Sequence, residues 1–571
     1  MGVKGNKKCS KRFSIDFHPQ LFTTLKGYNK EKFSKDLMAG IIVGIVAIPL
    51  AIAFGIASGV GPTEGLITAI LAGFIISAFG GSKVQIGGPT GAFIVIVYGI
   101  IQQFGLGGLA IATIMAGLMM VLMGVFKLGS VIKFMPYPII VGFTGGIAIT
   151  IFSTQMNDLF GMNLQNVPAN FIDKWAFYFE NLDKINWAAF AMGIVSIAII
   201  ALTPKISKKI PGSLFAIIVM TLVGWLLTKY TDVRITTIGD LYTLPHGLPS
   251  FDVPDLGGAP FFTTVQALLP AAFTIAMLGA IESLLSAMVA DGVVGDKHNS
   301  NTELIANGFA NMVVPFFGGI PATGAIARTM ANINNGGRTP VAGIVHAIVL
   351  LLVLLFLSPL VSLIPMPCLA GVLIVVSYNM SGWRTIRSMC RQSRSDIVVL
   401  FVTLLLTVIF DLTIAIEVGL IMAVVLFMKR VMESVNISVV QNEVDVHNDG
   451  EKDETLNVPA HTEVYEIEGP FFFGVANKFE ELQRGRKSMP IRIIRMRRVN
   501  FIDATGIHNL EIFIDSALKE RQTIILSGVK PEVKEALVQA GIVEKIGEEN
   551  VLDHIHKALA RAEELSSAYR G

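Results

Sequence analysis

Two short segments rich in glycine have the residue types needed to bind an anion through the polypeptide backbone. The first is GGPTGAF at residues 87–93, and a near copy, GGIPATGAIA, occupies residues 318–327. Both interrupt long apolar stretches, where an unpaired backbone group in contact with lipid would cost several kcal/mol. We therefore expect both segments to lie inside the protein, with backbone N–H groups directed at an internal site.

The start of a helix suits an anion because it carries about half a positive charge and several N–H groups without a helical partner. Proline is well tolerated in a first helical turn, so Pro89 and Pro321 are expected to mark the starts of two half-helices. Thr90 and Thr323 stand close behind them and should point into the protein. Small residues that would let an anion approach the backbone follow in both copies: Gly91, Ala92, Gly324 and Ala325.

Two charged residues in apolar surroundings could complete such a site. Arg328 is expected one and a half turns inside the second half-helix, where it adds a full positive charge. Glu282 lies in PAAFTIAMLGAIESLLSAMVAD, and a carboxylate at that depth is a candidate functional residue because burial disfavours its charged form. Glu282 could therefore bind and release a proton, with Ser283 and Ser286 as hydrogen-bonding partners. A purely structural ion pair between Glu282 and Arg328 is the alternative.

The composition indicates that most of the chain lies in a bilayer. Of 571 residues, 52% are hydrophobic and only 15% are charged, against about 25% charged in soluble domains. Apolar blocks close to the ~20 residues needed to span the membrane, or shorter, form two sets of seven. They are 37–57, 63–80, 84–101, 107–126, 131–154, 186–203 and 212–229, then 262–291, 303–317, 322–335, 340–358, 367–380, 395–411 and 413–430.

This count predicts a transmembrane domain over 37–432, with halves at about 37–229 and 262–432. Because each half has an odd number of spans, the second half must enter from the opposite face as an inverted repeat. Residues 1–36 carry nine Lys/Arg against three acidic residues, which predicts a cytoplasmic N-terminus. The loops at 157–184 and 230–257 are mixed or acidic and are predicted to lie outside. Both termini are thus expected in the cytoplasm, with the protein in a plasma (inner) membrane.

Other function classes are less well supported by the sequence. The net charge of +2 indicates no nucleic-acid partner. Cys9, Cys368 and Cys390 are scattered, without spacing typical of disulfides or metal sites. Since there is no nucleophile–base set, metal cluster or nucleotide loop, neither an enzyme nor a cofactor is expected.

The C-terminal region has a different character. Residues 441–460 are polar and acidic and predict a flexible linker. From 461 to 571, alternating strand patterns and amphipathic helical patterns predict a small cytoplasmic α/β domain.

Several motifs resemble one family. The membrane region contains IVAIPLAIAFGIASGVGPTEGL (45–66), GGPTGAF, LGAIESLLSAMVAD (278–291) and GGIPATGAIARTMANINNGGRTPVAG (318–343). Together they strongly resemble the SulP anion transporters, whose vertebrate relatives include prestin and pendrin. VNFIDATGIHNL (499–510) resembles the STAS domain that these transporters carry.

The resemblance implies fourteen transmembrane segments in a 7+7 inverted repeat, divided into core and gate domains, with an elevator mechanism and a homodimer. It places the substrate between two half-helices and against the walls of the first and eighth spans. The residues so implied are Thr90, Gly91, Ala92, Phe93, Ala322, Thr323, Gly324, Ala325 and Arg328, with Phe54, Glu282 and Ser286 on the walls.

The predicted function is secondary active import of a small anion by proton symport, with sulfate first and bicarbonate or a C4-dicarboxylate next. Glu282 occupies a position where a sodium-coupled bicarbonate relative has Asp, which favours protons over sodium. Leu50 after Pro49 replaces the Gln of many relatives and leaves a less polar site. Sodium symport, exchange and an anion channel remain alternatives. A different class, a membrane-tethered signalling protein with a STAS output, would need no broken helices.

One residue of the STAS-like segment is a candidate for regulation. Thr505 falls at the phosphoserine position of bacterial anti-sigma-factor antagonists, and phosphorylation there would add nearly two charges. The competing interpretation is a helix cap, because Asp503 to Thr505 precede an amphipathic helix.

Overall fold

The computed structural model describes two compact units, Met1–Ile421 and Met422–Gly571. The described residues are 17–567, except for 133–135, 166, 169, 207–210, 232–233, 244–246, 248, 255–260, 392, 411, 441–442, 447–453 and 473–488. Most of the predicted N-terminal segment and part of the predicted acidic linker therefore lie outside the described residues.

The first unit is helical. Its longer helices are α1 (Lys30–Ala57), α2 (Pro62–Phe79), α3 (Ile94–Val125), α4 (Tyr137–Thr154), α5 (Phe171–Glu180), α6 (Trp187–Ile206), α7 (Gly212–Tyr230), α8 (Phe261–Val294), α9 (Ser300–Val313), α10 (Ile326–Asn334), α11 (Val341–Phe356), α12 (Met366–Met380), α13 (Arg394–Ile409) and α14 (Leu412–Ser434), which runs on into the second unit. Short helices lie at Gln20–Thr24, Gly129–Ile132, Met156–Leu159, Ile238–Leu241, Ser358–Val361 and Trp383–Met389, and 3-10 turns at Gly91–Phe93, Leu182–Lys184 and Val314–Phe317.

The predicted spans correspond to these helices with a few differences. Among the described residues, eight helices are long and apolar enough to cross a membrane. The end of the block at 84–101 and the block at 107–126 both lie in α3, whose backbone is not helical at Gly105 (φ 67°, ψ −172°), so that two helical stretches meet between the two predicted blocks. Helix α1 begins at Lys30, earlier than the predicted span at 37. Fourteen complete spans therefore stay a prediction.

Helices of the two halves pack closely on one another. Helix α1 lies along α11, and α3 lies along both α8 and α9. Gly117 of α3 and Gly308 of α9 face each other, since a Cβ on Gly117 would lie 2.6 Å from the carbonyl oxygen of Gly308. In lipid, helix packing is stabilised by dispersion contacts rather than by water exclusion. Small residues strengthen these contacts because they let two helix backbones approach closely.

The broken segments contribute a two-residue ribbon to this unit. Strand β1 (Gly87–Gly88) pairs antiparallel with β2 (Thr323–Gly324). The ribbon thus joins a residue pair from the first half of the chain to a pair from the second.

The second unit is an α/β domain. Its strands are β3 (Asn436–Val440), β4 (Glu443–Val446), β5 (Glu454–Asn457), β6 (Thr462–Glu468), β7 (Ile491–Arg498), β8 (Thr523–Ser527) and β9 (Val551–Leu552). Its helices are α15 (Ala504–Lys519), α16 (Pro531–Gln539), α17 (Ile542–Ile546) and α18 (Ile555–Ser567), with a 3-10 turn at Glu548–Asn550.

The main sheet has the order β3-β6-β7-β8-β9. Strand β3 is antiparallel to β6, whereas β6, β7, β8 and β9 are mutually parallel. Helices pack on both faces of the central strands, so β7 is buried from Ile491 to Met496 although it includes Arg492 and Arg495. Since β3 precedes the predicted linker, the domain begins earlier in the chain than the prediction of 461. Inside the predicted linker, β4 and β5 pair as an antiparallel ribbon.

Candidate functional site

The structure brings the two glycine-containing segments into direct contact. In the ribbon, Gly87 lies opposite Gly324 and Gly88 lies opposite Thr323. All four residues are buried. The paired residues of each segment therefore satisfy part of the other's backbone, as irregular backbone inside a membrane domain requires.

Arg328 supports the first segment from behind. Its guanidinium donates to the carbonyl oxygen of Gly87 at 3.3 Å and to that of Pro89, and only 2% of the residue is exposed. Gly88 has a φ of 149°, and a Cβ there would lie 2.0 Å from Nη1 of Arg328. The guanidinium therefore fills the space that a side chain at 88 would need. It does not form the structural ion pair with Glu282 that was the alternative.

The second helix begins later than predicted. Helix α10 starts at Ile326, with Ala325 before it, so Pro321 does not mark the start of a half-helix. The reason is that 323–324 forms β2, and the N–H of Ala325 donates to the carbonyl oxygen of Ile86 at 2.9 Å. Arg328 is consequently the third residue of α10, within its first turn. In the first copy, Thr90 directly precedes the turn Gly91–Phe93 that leads into α3.

Both threonines contact the same helix, α8. The Thr90 hydroxyl donates to Oε2 of Glu282 at 2.9 Å, and the Thr323 hydroxyl donates to the carbonyl oxygen of Gly279 at 2.8 Å. Gly279 and Glu282 are three residues apart and so lie on one face of α8. Thr323 is fully buried, whereas Thr90 and Glu282 are partly exposed. Of the two hydroxyls, that of Thr90 is therefore the accessible one.

Apolar side chains surround Gly91, the first residue of the helical turn in the first segment. A Cβ on Gly91 would lie 3.0 Å from Cδ1 of Ile151, 3.2 Å from Sδ of Met380 and 3.4 Å from Cε1 of Phe54. Ala92 and Phe93 are buried beside it. The glycine therefore leaves room between its N–H group and three apolar walls.

Two of the predicted site residues take part in separate contacts. Ser286 donates to the hydroxyl of Thr329 at 3.2 Å. Ala322 pairs through its backbone with the Asn311 amide, which donates to its carbonyl and accepts from its N–H, both at 2.8 Å. Ser286 and Ala322 are thus held by α10 and α9, and neither is among the partners of Thr90.

The sequence analysis missed a second buried carboxylate, Glu303 in α9. Its Oε2 accepts the N–H groups of Gly81 and Ser82 at 2.8 and 3.0 Å. Its Oε1 accepts from the Asn307 amide at 3.1 Å and the Ser283 hydroxyl at 3.4 Å. A signal was present, because Glu303, Asn307 and Asn311 recur every four residues and form a polar stripe on one face of α9.

Ser283 was expected to hydrogen-bond Glu282, but it belongs instead to the group around Glu303. It also accepts a hydrogen bond from the Gln85 amide at 2.8 Å. Gln85 lies so close to β2 that a Cβ on Gly324 would come within 1.5 Å of its Nε2. The polar network around Glu303 therefore supports the ribbon from the side of α8 and α9.

The chemistry of the site is that of anion recognition. The described residues contain no group of three or more His, Cys, Asp or Glu that could hold a metal ion. The helical turn of the first segment offers N–H groups, with the Thr90 hydroxyl before it and the charge of Arg328 nearby. The carboxyl group of Glu282 lies next to them. Such a set can bind an anion and exchange one proton, with no covalent step.

In the second unit, Asp503 takes the capping role that was considered for Thr505. Its carboxylate accepts the N–H of Gly506 at 2.7 Å at the start of α15. Thr505 is an exposed residue of the first helical turn. The interpretation of Thr505 as the cap is therefore wrong, and phosphorylation of Thr505 stays a prediction.

Long apolar helices with two broken segments, together with a C-terminal α/β domain, define the class: a multi-span membrane protein with an additional α/β domain. The Sulfate permease family profile matches residues 33–403, and the STAS domain profile matches residues 455–562. The chain belongs to the sulfate permease family, as the motifs predicted.

Relatives and a solved structure agree with this assignment. The chain is 43% identical over 537 residues to the putative sulfate transporter YvdB of Bacillus subtilis, covering 93% of this chain and 98% of that protein. It is 30% identical over 553 residues to the bicarbonate transporter BicA of Picosynechococcus sp., covering 92% and 94%. The fold is similar to that of the murine Solute Carrier 26 family member A9 anion transporter in the inward-facing state, with a TM-score of 0.84, 19% identity, and coverage of 98% and 97%.

These similarities confirm the predicted fold class, a multi-span helical membrane protein with a STAS domain. The family profile and the relatives also support anion transport as its activity, and a membrane as its location.

Proposed function

We propose that the protein is a secondary active importer that carries a small oxyanion together with protons. Sulfate is the first candidate, since YvdB is a putative sulfate transporter. Bicarbonate is the second, because BicA is a bicarbonate transporter, and a C4-dicarboxylate offers the same carboxylate chemistry. The observation that carries the proposal is the hydrogen bond between Glu282 and Thr90, which directly precedes the helical turn of the first segment.

The anion would bind where the helical turn of the first segment begins, at Thr90 and Gly91. Helix geometry leaves the first N–H groups, those of Gly91 and Ala92, without helical acceptors. The helix dipole and Arg328 both favour negative charge there. Phe54 would form one apolar wall and keep bulk water away from the anion.

Glu282 would couple the proton to the anion by electrostatic repulsion. Two like charges about 5 Å apart cost roughly 3 kcal/mol at an effective dielectric constant near 20. Protonation of Glu282 removes this repulsion. It also turns the carboxyl group into a donor toward the Thr90 oxygen, which frees the Thr90 O–H to rotate toward the anion. Proton and anion would therefore bind together, as symport requires.

The transport step would be an elevator movement in a homodimer, in the plasma membrane and with both termini in the cytoplasm. The β1–β2 ribbon and the Arg328 contacts support the elevator, since they tie residues from both halves around one site. A site held in this way would travel as one rigid body.

The test is uptake of labelled sulfate into proteoliposomes with and without an inward proton gradient. Glu282→Gln should abolish the acceleration by the gradient but preserve sulfate–sulfate exchange, because the amide keeps the shape but cannot titrate. Glu417→Gln in α14, an exposed glutamate, is the matched control and should behave as wild type. Gradient-driven accumulation by Glu282→Gln at the wild-type rate would refute proton coupling through this residue.

The substrate is then tested by competition with bicarbonate, fumarate, chloride and nitrate at fixed pH. If bicarbonate is the strongest competitor and uptake requires sodium, the protein carries out sodium–bicarbonate symport instead of sulfate–proton symport. A current that is linear in voltage and does not saturate with anion would indicate a channel instead.

A further inference from the structure

A separate cavity of about 400 Å³ lies where α5 covers the ends of neighbouring helices of the first unit. Its lining includes Lys174 and Tyr178 of α5, Tyr98 of α3, Ala57 at the end of α1, and Gln155 and Asp158 after α4. Apart from Ala57, these residues are polar in a part of the chain that is otherwise apolar, and the proposed transport site uses none of them.

Lys174 is the unusual member of this lining. Only 3% of the residue is exposed, yet its charged group has no ion pair or hydrogen bond within the described part of the chain. Its ammonium lies 5.8 Å from the centre of the Tyr98 ring, a cation–π distance. Burial lowers the pKa of Lys174 to about 8, which leaves the ammonium largely charged at neutral pH. A buried charge of this kind normally has a counter-ion.

The cavity and the proposed transport site lie on the same helices. Tyr98 is seven residues beyond Gly91, a rise of about 10 Å along a helix. Ala57 is one turn beyond Phe54, and Gln155 is one turn beyond Ile151. Since Phe54, Gly91 and Ile151 meet at the transport site, their helices lead directly from it to the cavity. Helix α5 falls in the loop predicted to lie outside the membrane on the external face.

We propose that this cavity is a second anion-binding site, at which Lys174 receives a small oxyanion before the anion enters the transport site. The Gln155 amide and the Tyr178 hydroxyl supply hydrogen-bond donors in the same lining. Asp158 also lines the cavity, and its carboxyl group opposes the anion when it is ionised. Binding is therefore weak, which suits a site that must release its ligand inward. The role as a loading site rests on the proposed transport function, whereas anion binding itself does not.

The binding test needs no transport. The full-length protein in detergent is treated briefly with an amine-acetylating reagent, and modification of each lysine is read by mass spectrometry. Sulfate should slow modification of Lys174 at least threefold relative to gluconate at equal ionic strength. Lys184, an exposed lysine of the same region whose ammonium donates to Asn181, is the internal control and should react equally in both salts. Equal rates for Lys174 in sulfate, bicarbonate and gluconate would overturn the anion site.

The transport test compares the two faces of the membrane in oriented proteoliposomes. Lys174→Met should raise the KM for anion supplied on the α5 side about fivefold, and leave kcat and the KM on the opposite side unchanged. Lys174→Arg should restore most of the affinity, and Lys184→Met should have no effect. An equal rise in KM on both faces, or a loss of kcat alone, would show that Lys174 is merely structural. If wild-type protein moves no anion, protection of Lys174 still decides whether the site exists.

Discussion

Two glutamates on consecutive helices of the first unit have contrasting surroundings. Glu282 in α8 is partly exposed and accepts a hydrogen bond from Thr90. Glu303 in α9 is fully buried and accepts from four donors, two of them backbone N–H groups. A carboxylate inside a membrane domain is costly, so both glutamates are candidate functional residues. Only Glu282, with its single donor, is free to change its protonation state.

The difference lies in how many bonds a proton would break. Protonating Glu303 would disturb a network that holds the loop after α2 against α8 and α9. Protonating Glu282 would only reverse the sense of its hydrogen bond with Thr90. We infer that Glu303 is a structural carboxylate, which leaves Glu282 as the carboxylate for the proposed proton coupling.

The largest expected effect is that of Glu303→Gln on stability. The single amide oxygen can accept from Gly81 and Ser82 or from Asn307 and Ser283, but not from both pairs, so buried donors lose their partner, at a cost of about 3 kcal/mol. The midpoint of thermal unfolding in detergent should fall clearly below that of wild type. Glu417→Gln, at an exposed position, should leave the midpoint unchanged. A wild-type midpoint for Glu303→Gln would remove the distinction between the two glutamates.

Glu282→Gln should have a much smaller effect on stability, within about 1 kcal/mol of wild type. The reason is that Gln can still accept the hydrogen bond from Thr90 through its amide oxygen. The same thermal measurement checks this, side by side with Glu303→Gln. A loss of stability equal to that of Glu303→Gln would mean that Glu282 is a structural residue too.

Thr90→Val should shift the pH profile of uptake. Without the donor, the charged form of Glu282 loses about 1 kcal/mol of stabilisation, so protonation becomes easier. The midpoint of the pH dependence should move upward by about half a unit to one unit. Thr90→Ser keeps the hydroxyl and should retain the wild-type midpoint. A profile identical for Thr90→Val and wild type would separate Thr90 from the titrating group.

The smallest effect is expected for Ser286→Ala. Its hydroxyl donates to Thr329, whose oxygen also accepts the N–H of Ile86 at 3.1 Å, so Thr329 keeps one partner. Anion affinity and the unfolding midpoint should both change by less than about 1 kcal/mol. An affinity loss of tenfold or more in an equilibrium binding assay would instead place Ser286 in contact with the anion.

The features that could be predicted from the sequence are those that contrast with their apolar surroundings. The two glycine segments and Glu282 stand out for this reason, and the structure brings them together at α8. Glu303 was missed because it follows the polar run SNT and resembles an ordinary helix start. The contact of Arg328 with Gly87 and Pro89 joins residues far apart in the chain, which no local pattern encodes.

The errors in element boundaries have the same origin. Pro321 has the properties of a helix start, but the pairing of 323–324 with 87–88 postpones α10 to Ile326. Likewise, β3 joins the sheet of the second unit from before the acidic segment, through its pairing with β6. In each case a distant strand partner overrides the local preference.

The β1–β2 ribbon has a consequence for how the chain is made. Gly87 and Gly88 are synthesised long before Thr323, Gly324 and Arg328, which supply their partners. While the ribosome elongates the intervening chain, the first broken segment must be sheltered by water or by the insertion machinery, because lipid cannot satisfy its backbone. The first broken segment can therefore reach its final backbone pairing only after the second half has been made.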